Sequence, residues 1–252
     1  MFFSACIPAL FSRMPAHEAV ERLHPLGMPA FELWGWWNLD LDALIQAQHR
    51  TGMRCAALCT KFIPLTDPAR REEYIAGLRE TITAAKKLGC ATIISQVGQE
   101  LPDVPRSAQH ASIVEGLRQC APLLAQAGMT LVIEPLNILV DHKGYYLSSA
   151  QEGFDIVREV ASPHVRLLYD VYHQQITEGN LLSTMEANLP LIGHIHIAGV
   201  PGRHEPLREC EIHYPAILSR LEKLGYEGAV GLEYFPVEDV EAGLRDILAL
   251  KL

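Results

Sequence analysis

The chain has 252 residues, of which 49% are hydrophobic and 20% charged, and its formal net charge is −9. This length supports a sizeable core in a single domain, and the composition, which lacks low-complexity tracts, excludes extended disorder. The negative charge argues against a nucleic-acid surface, which needs a basic face. We therefore expect one domain over residues 1–252 that has no nucleic-acid partner.

Eight strand-like segments follow one another along the chain: FFSACIP, AFELWGW, MRCAALC, CATIISQ, MTLVIEP, VRLLYDV, IGHIHIA and AVGLEYF. Five of them begin at or just after a glycine that suits the end of a helix, namely Gly27, Gly52, Gly89, Gly128 and Gly225. The segments between the strands have helical periodicity. Pro122, in the fourth of these helices, should bend or divide it.

This alternation predicts an α/β fold in the form of a single (β/α)8 TIM barrel. A doubly wound open sheet is the alternative, but no glycine-rich phosphate loop follows the first strand. The apolar opening MFFSACIPALF lacks a basic leader region and is too short to cross a membrane, so we interpret it as a core strand. The six scattered cysteines are typical of reduced thiols. We expect a cytoplasmic protein without a membrane partner, and a homo-oligomer is compatible with the sequence.

Four strand-like segments carry a side chain that can bind a metal: Glu134 in LVIEPLN, Asp170 in VRLLYDVYH, His196 in IGHIHIAG and Glu233 in AVGLEYFP. The intervals between them leave room for one loop and one helix, so neighbouring parallel strands would direct these groups to one place. A lone glutamate at a strand end is usually an ion-pair partner or a cap, but buried carboxylates that cluster need a cation or an arginine. The pattern predicts a divalent metal site that suits Mg²⁺ or Mn²⁺ and could accept Zn²⁺ or Co²⁺.

Further polar and aromatic residues lie near these segments. His194 shares a strand face with His196 but lies one layer deeper, so we interpret it as a hydrogen-bonded interior residue. Glu32 also points into a strand interior and fits either a structural network or the site. Three neighbouring tryptophans cannot all face one side of a strand, so at least one should line a pocket: Trp34, Trp36 and Trp37.

The segments IEPLN, YDVYHQQITEGNL, IGHIHIAGVPGRHEP and GLEYFP resemble the hydroxypyruvate isomerase family within the xylose isomerase-like barrels. The resemblance runs in order through the second half of the chain and more weakly through FELWGWWNLDLDAL. It implies a divalent metal on the four residues above, and Glu134 and Glu233 as the acid/base pair. It also implies that His173 and Arg203 contact substrate oxygens.

Two positions depart from the hydroxypyruvate isomerase pattern, and a third departs from the pattern of the related ketose 3-epimerases. Many hydroxypyruvate isomerases have Gln where this chain has His196, whereas the related ketose 3-epimerases have His. Gly199 replaces the usual Asp after the same strand, and Val140, followed by Asp141, stands where those epimerases have an acidic residue. The resemblance therefore favours isomerisation of hydroxypyruvate to tartronate semialdehyde and leaves a ketose 3-epimerase as the alternative.

The residues themselves suit this chemistry. An α-hydroxycarbonyl isomerises when it loses a carbon-bound proton, passes through a cis-enediolate and regains a proton on the neighbouring carbon. A metal stabilises the two oxygens, and a carboxylate carries the proton. His173 could donate to the carbonyl oxygen or be a cap or core histidine. Arg203 could grip a substrate carboxylate or be a solvated loop charge.

Two other classes stay open at the level of sequence. An apurinic endonuclease shares this barrel but needs further histidines after strands 3 and 4, which here end in CTKF and SQVG. A sugar-binding barrel without activity is the second, because a fold alone proves no catalysis. We expect a small-molecule substrate in either of the favoured interpretations.

Overall fold

The computed structural model describes residues 1–237 and 239–250. Its centre is a closed barrel in which eight parallel strands pair in chain order, and β8 pairs with β1. The strands are β1 Phe2–Cys6, β2 Ala30–Leu33, β3 Arg54–Cys59, β4 Thr92–Ser95, β5 Thr130–Ile133, β6 Val165–Asp170, β7 Ile192–Ile197 and β8 Ala229–Leu232. The predicted TIM barrel is confirmed.

The helices lie between the strands and cover the outside of the barrel. They are α1 Ile7–Leu10, α2 Ala16–Leu23, α3 Leu41–Thr51, α4 Arg71–Lys87, α5 Arg106–Ala127, α6 Ala150–Val160, α7 Val171–Thr177, α8 Leu181–Asn188, α9 Tyr214–Lys223 and α10 Val240–Leu248. Gly52 and Gly128 end α3 and α5 in the left-handed conformation that glycine adopts without strain. Over the described residues, no helix is both long and apolar enough to span a bilayer.

The helical periodicity of the sequence accounts for how the helices pack. In α4, Tyr74, Leu78, Ile82 and Ala85 recur at helical spacing, and all four are buried. Of the two effects predicted for Pro122, division of the helix does not occur, because α5 runs through it as one helix. Pro122 lies on the exposed side, so the carbonyl that loses its helical hydrogen bond can be hydrated.

The inside of the barrel has two different halves. An apolar layer comes from β3 to β6 and consists of Ala57, Cys59, Ile94, Val132 and Leu168. The opposite half, from β1, β2 and β7, is polar and contains Ser4, Glu32, His194 and His196, all buried. Buried polar groups need partners, so this half contains a hydrogen-bond network that lies directly below the carboxyl ends of the strands.

Candidate active site

The four candidate metal ligands lie at the carboxyl ends of consecutive strands. Glu134 follows β5, Asp170 ends β6, His196 lies near the end of β7, and Glu233 follows β8. All four are buried, and one ligand atom from each lies within 4.8 Å of the others. The fold thus brings together the four residues that the strand-end pattern selected.

Three of these ligand atoms have no hydrogen-bond partner among the described residues: Glu134 Oε1, Asp170 Oδ2 and His196 Nδ1. The other atoms of the two carboxylates are held in place. Glu134 Oε2 accepts from Gln96 Nε2 at 3.2 Å, and Asp170 Oδ1 accepts two backbone N–H groups in the first turn of α7, at 2.8 and 3.2 Å. Buried polar atoms are normally bonded. Their convergence therefore fits a divalent cation with oxygen and imidazole ligands.

A carboxylate below the cluster orients the histidine ligand. Glu32 accepts from His196 Nε2 at 2.8 Å and from His194 Nε2 at 3.0 Å, and it also accepts from the Ser4 hydroxyl. Burial alone would raise the pKa of Glu32, but His194 and His196 outweigh it and lower the pKa to about 2. Glu32 therefore belongs to the structural network, and it turns Nδ1 of His196 toward the cluster. The interpretation of His194 as a hydrogen-bonded interior residue is confirmed.

A glycine makes room for the side chains of His196 and Glu32. Gly231 lies in β8, and a Cβ at this position would come within 2.5 Å of His196 Cδ2 and 2.6 Å of Glu32 Oε1. Distances this short are repulsive, so any side chain would displace the imidazole or the carboxylate. Gly231 was not among the predicted site residues, since only the packing across the barrel shows the need for a glycine.

The cluster stabilises positive charge. His196 Nδ1 lies 3.2 Å from Glu233 Oε2 and 3.5 Å from Glu134 Oε1. Although burial opposes it, Glu233 and Glu32 raise the pKa of His196 well above its ordinary value. In turn, Arg203 and His196 overcome the effect of burial and lower the pKa of Glu233. A site that favours an imidazolium by electrostatics also favours a metal cation, which would take the place of the proton.

Arg203 is buried beside the cluster and is not a solvated loop charge. It follows β7 in the left-handed conformation (φ 58°), and only 8% of the residue is exposed. Its Nη2 donates to the Glu233 carboxylate and lies 3.6 Å from Asp170 Oδ2. The guanidinium also stacks over the rings of Tyr172 and Phe235, 5.3 and 5.8 Å from their centroids. These contacts hold a cation at the edge of the cluster.

His173 lies on the other side of Asp170 and is fully buried. Its Nδ1 accepts from the backbone N–H and from the side-chain amide of Asn137, at 3.2 and 2.7 Å. Its Nε2 is 3.6 Å from Asp170 Oδ2. Burial, with a smaller effect of Arg203, lowers the pKa of His173 to about 3, so the imidazole is neutral. His173 is not among the residues of the cavity wall, but its Nε2 faces the cluster on the side of Asp170.

A cavity of about 650 Å³ opens above the cluster. Its wall includes Glu134, His196, Arg203 and Glu233, and its remaining surface is largely apolar, with Phe62, Ile63, Pro64, Leu101, Leu136 and Phe235. Trp34 lines it, as expected of one of the three tryptophans, and donates from Nε1 to the Glu233 carboxylate. The other two pack against each other farther out, and Trp37 contacts Phe62.

Gln96, which holds Glu134, was not among the predicted site residues. Its signal was available, because Gln96 follows the fourth strand at the same level as the predicted ligands. Cys59 lines the cavity, but burial raises the pKa of its thiol well above the ordinary value, which disfavours the reactive thiolate form. All six cysteines are free.

The family described as xylose isomerase-like TIM barrel matches residues 19–250. The chain belongs to this family. The hydroxypyruvate isomerase of Escherichia coli is 36% identical over 178 residues, which cover 71% of this chain and 68% of that protein. The 2-oxo-tetronate isomerase of Cupriavidus necator is 33% identical over 227 residues, covering 90% and 85%. These relatives place the chain among the isomerases of the family and confirm the resemblance seen in the sequence.

Solved structures agree on the fold. A crystal structure from Brucella melitensis, named AP endonuclease, family 2, is 28% identical, has a TM-score of 0.93 and covers 99% of both chains. A D-allulose 3-epimerase from Methylomonas sp. has a TM-score of 0.80 at 20% identity, covering 99% of this chain and 89% of that one. At that identity the second likeness shows the barrel alone.

Proposed function

We propose that the protein is a metal-dependent isomerase of a short sugar acid that works through a cis-enediolate, with hydroxypyruvate and tartronate semialdehyde as the favoured pair. The observation that carries this proposal is the convergence of three buried atoms that make no hydrogen bond among the described residues, from Glu134, Asp170 and His196. They lie beside the Glu233 carboxylate and the buried cation of Arg203. The relatives named as isomerases of hydroxypyruvate and 2-oxo-tetronate support it.

In this proposal Glu134, Asp170, His196 and Glu233 hold the metal. Mg²⁺ and Mn²⁺ suit the three carboxylates best, while the imidazole also allows Zn²⁺ or Co²⁺. The chemistry that the metal supplies when bound is stabilisation of negative charge on the two substrate oxygens. Of the three carboxylates in the set, Glu134 and Glu233 line the cavity and could reach a carbon-bound proton.

The proton moves between neighbouring carbons. A carboxylate takes it from the hydroxyl-bearing carbon, and the electrons of that bond form the enediolate. The proton returns to the adjacent carbon, while the hydroxyl proton passes from the first oxygen, which becomes the new carbonyl, to the second, which becomes the new hydroxyl. Glu233 is ionised, because Arg203 and His196 lower its pKa, so it can act as the base. Arg203 offers a planar donor edge for the substrate carboxylate, and a neutral His173 offers a donor for the carbonyl oxygen.

A ketose 3-epimerase is the second candidate, and the size of the cavity allows its longer substrate. A volume of about 650 Å³ lies within the range of roughly 300–1,000 Å³ that holds drug-sized ligands, so a chain longer than three carbons has room. An epimerase would form the same enediolate one carbon farther along.

The strand ends and the charge weigh against DNA repair. Strand β3 ends at Cys59 and β4 at Ser95, and their contributions to the cavity wall are Cys59, Ile94 and Gln96. Within the described residues, neither strand end offers the histidine that a multinuclear zinc site would need. The net charge of −9 further disfavours a phosphate backbone.

Proton NMR in D₂O tests the proposed function. Purified enzyme would be incubated with Mn²⁺ and one of three compounds: hydroxypyruvate, a four-carbon 2-keto acid or a neutral six-carbon ketose. The Mn²⁺ would be removed after turnover, before the spectra are recorded. We expect deuterium at the exchanging carbon of an acid, together with formation of the aldehyde product. Exchange confined to the third carbon of the neutral ketose would move the assignment to the epimerase, and exchange with none of the three would refute both.

A further inference from the structure

The side chain of Asn137 is fully buried, and all its hydrogen-bonding groups are in use. Its Oδ1 accepts from the backbone N–H groups of Val140 and Asp141 at 2.9 and 3.2 Å. Its Nδ2 lies 2.6 Å from Asp141 Oδ2 and 2.7 Å from His173 Nδ1. Rotating the amide by 180° would set its oxygen against a carboxylate and its NH₂ against two N–H donors. The amide orientation is therefore determined by its surroundings.

This orientation determines where His173 carries its proton. Two donors from Asn137, the amide Nδ2 and the backbone N–H, point at Nδ1 of the imidazole. A backbone N–H can only donate, so Nδ1 must be the acceptor. A neutral imidazole that accepts at one nitrogen holds its proton on the other, which is Nε2. That nitrogen is buried and lies 3.6 Å from Asp170 Oδ2, with no hydrogen-bond partner among the described residues.

Asp141 and Tyr172 hold the side chain of Asn137 in place. Asp141 Oδ2 accepts from Asn137 and also from the Tyr172 hydroxyl at 2.8 Å. Asn137 and Asp141 therefore form a fixed pair, in which the amide of Asn137 contacts His173 and the carboxylate of Asp141 holds that amide. The sequence YDVYH places Tyr172 and His173 in the first turn of α7. One turn of helix therefore supplies both the imidazole and the hydroxyl that holds Asp141.

We propose that Asn137 is a positioning residue that locks His173 in the Nε2–H tautomer, so that His173 can only donate a hydrogen bond on the side of the metal cluster. The lock itself follows from contacts within the protein. The acceptor, a substrate oxygen held at the cluster, rests on the proposed function. In this arrangement His173 polarises that oxygen while the carboxylates move the proton, and it does not compete with them as a base.

The tautomer can be measured without turnover. We would record ¹⁵N NMR of metal-free protein labelled in its 11 histidines and assign His173 by comparison with a His173→Gln variant. We expect Nε2 to be of the protonated, pyrrole type and Nδ1 of the pyridine type. The reverse assignment in the wild type would overturn the proposal.

A swap variant tests whether Asn137 sets the tautomer. Asn137→Asp combined with Asp141→Asn keeps the charge and the amide–carboxylate pair but turns an acceptor toward Nδ1. The new acceptor would replace the shorter contact to Nδ1, at 2.7 Å, and the backbone N–H contact that stays is longer, at 3.2 Å. We therefore expect the proton signal to move to Nδ1. Asp141→Asn alone leaves the Asn137 donor in place and should keep the Nε2–H pattern. A swap variant that still shows Nε2–H would remove Asn137 from this role.

Turnover then tests the donor. In the swap variant we expect kcat to fall at least about 10²-fold with little change in KM, because hydrogen-bond donation to a developing charge acts in the transition state. An unchanged kcat with the inverted tautomer would refute the donor role of His173, while the isomerase assignment would stand. If the wild type turns over none of the substrates, the proposed function fails, but the NMR result on the tautomer is unaffected.

Discussion

Replacement of Glu32 by Gln should destabilise the protein by about 3 kcal/mol. Glu32 is 1% exposed and accepts from Ser4, His194 and His196. Its pKa falls from an ordinary 4.5 to about 2, and each tenfold change in proton affinity is worth about 1.4 kcal/mol, which gives about 3 kcal/mol. Loss of one partner from a buried ionic network costs a similar 3–5 kcal/mol.

The contribution of Glu32 to the free energy of unfolding depends on pH, and the sign of this dependence follows from its lowered pKa. A carboxylate whose pKa is lowered by folding contributes its stability above the pKa of the unfolded chain, near 4.5, and loses it as the pH falls toward 2. Urea denaturation of wild type and Glu32→Gln at pH 7 should therefore show the full difference, and the two curves should converge below pH 4.5. Glu222→Gln, at an exposed position in α9, is the matched control and should change the free energy of unfolding by less than about 0.5 kcal/mol. Equal stability of Glu32→Gln and wild type at pH 7 would refute the reasoning.

The remaining predictions concern the cluster and the cavity. Gly231→Ala should weaken Mn²⁺ binding at least tenfold in a calorimetric titration, because its Cβ would displace the imidazole of His196; unchanged affinity would show that the ring has room. Gln at Glu134 or at Glu233 should reduce kcat about 10²-fold or more, and full activity in either variant would reassign the base. Arg203→Lys keeps the charge but loses the planar fork, so kcat/KM should fall far more for hydroxypyruvate than for a neutral ketose; an equal loss for both would show that Arg203 does not bind the acid group.

The strand ends could be predicted because two local patterns agree. Glycines that end helices divide the sequence into repeats, and each repeat contains an apolar strand whose end carries a polar residue. In a parallel barrel all these ends lie at one rim. Glu134, Asp170, His196 and Glu233 were therefore found from chain position alone, and the structure brings them within 4.8 Å of one another.

Contacts between distant segments could not be predicted in the same way. Trp34 bonds to Glu233 across 199 positions, and Gln96 bonds to Glu134 across 38. Such pairs depend on side-chain direction and on the register of the barrel, neither of which periodicity specifies. Arg203 is an instructive case, since a loop arginine after VPG has no sequence signal for burial. Its position follows from the contacts with Glu233 and Asp170.

Dependence on a divalent metal at this cluster is the central claim, and deuterium exchange into hydroxypyruvate tests it most directly. Enzyme freed of metal by a chelator and dialysed would be mixed with hydroxypyruvate in D₂O, and the exchange rate would be followed by proton NMR before and after addition of Mn²⁺ or Mg²⁺. We expect no exchange above the uncatalysed rate in the metal-free protein and recovery with one equivalent of metal, but no recovery in Asp170→Asn. Full exchange by demonstrably metal-free enzyme would contradict it.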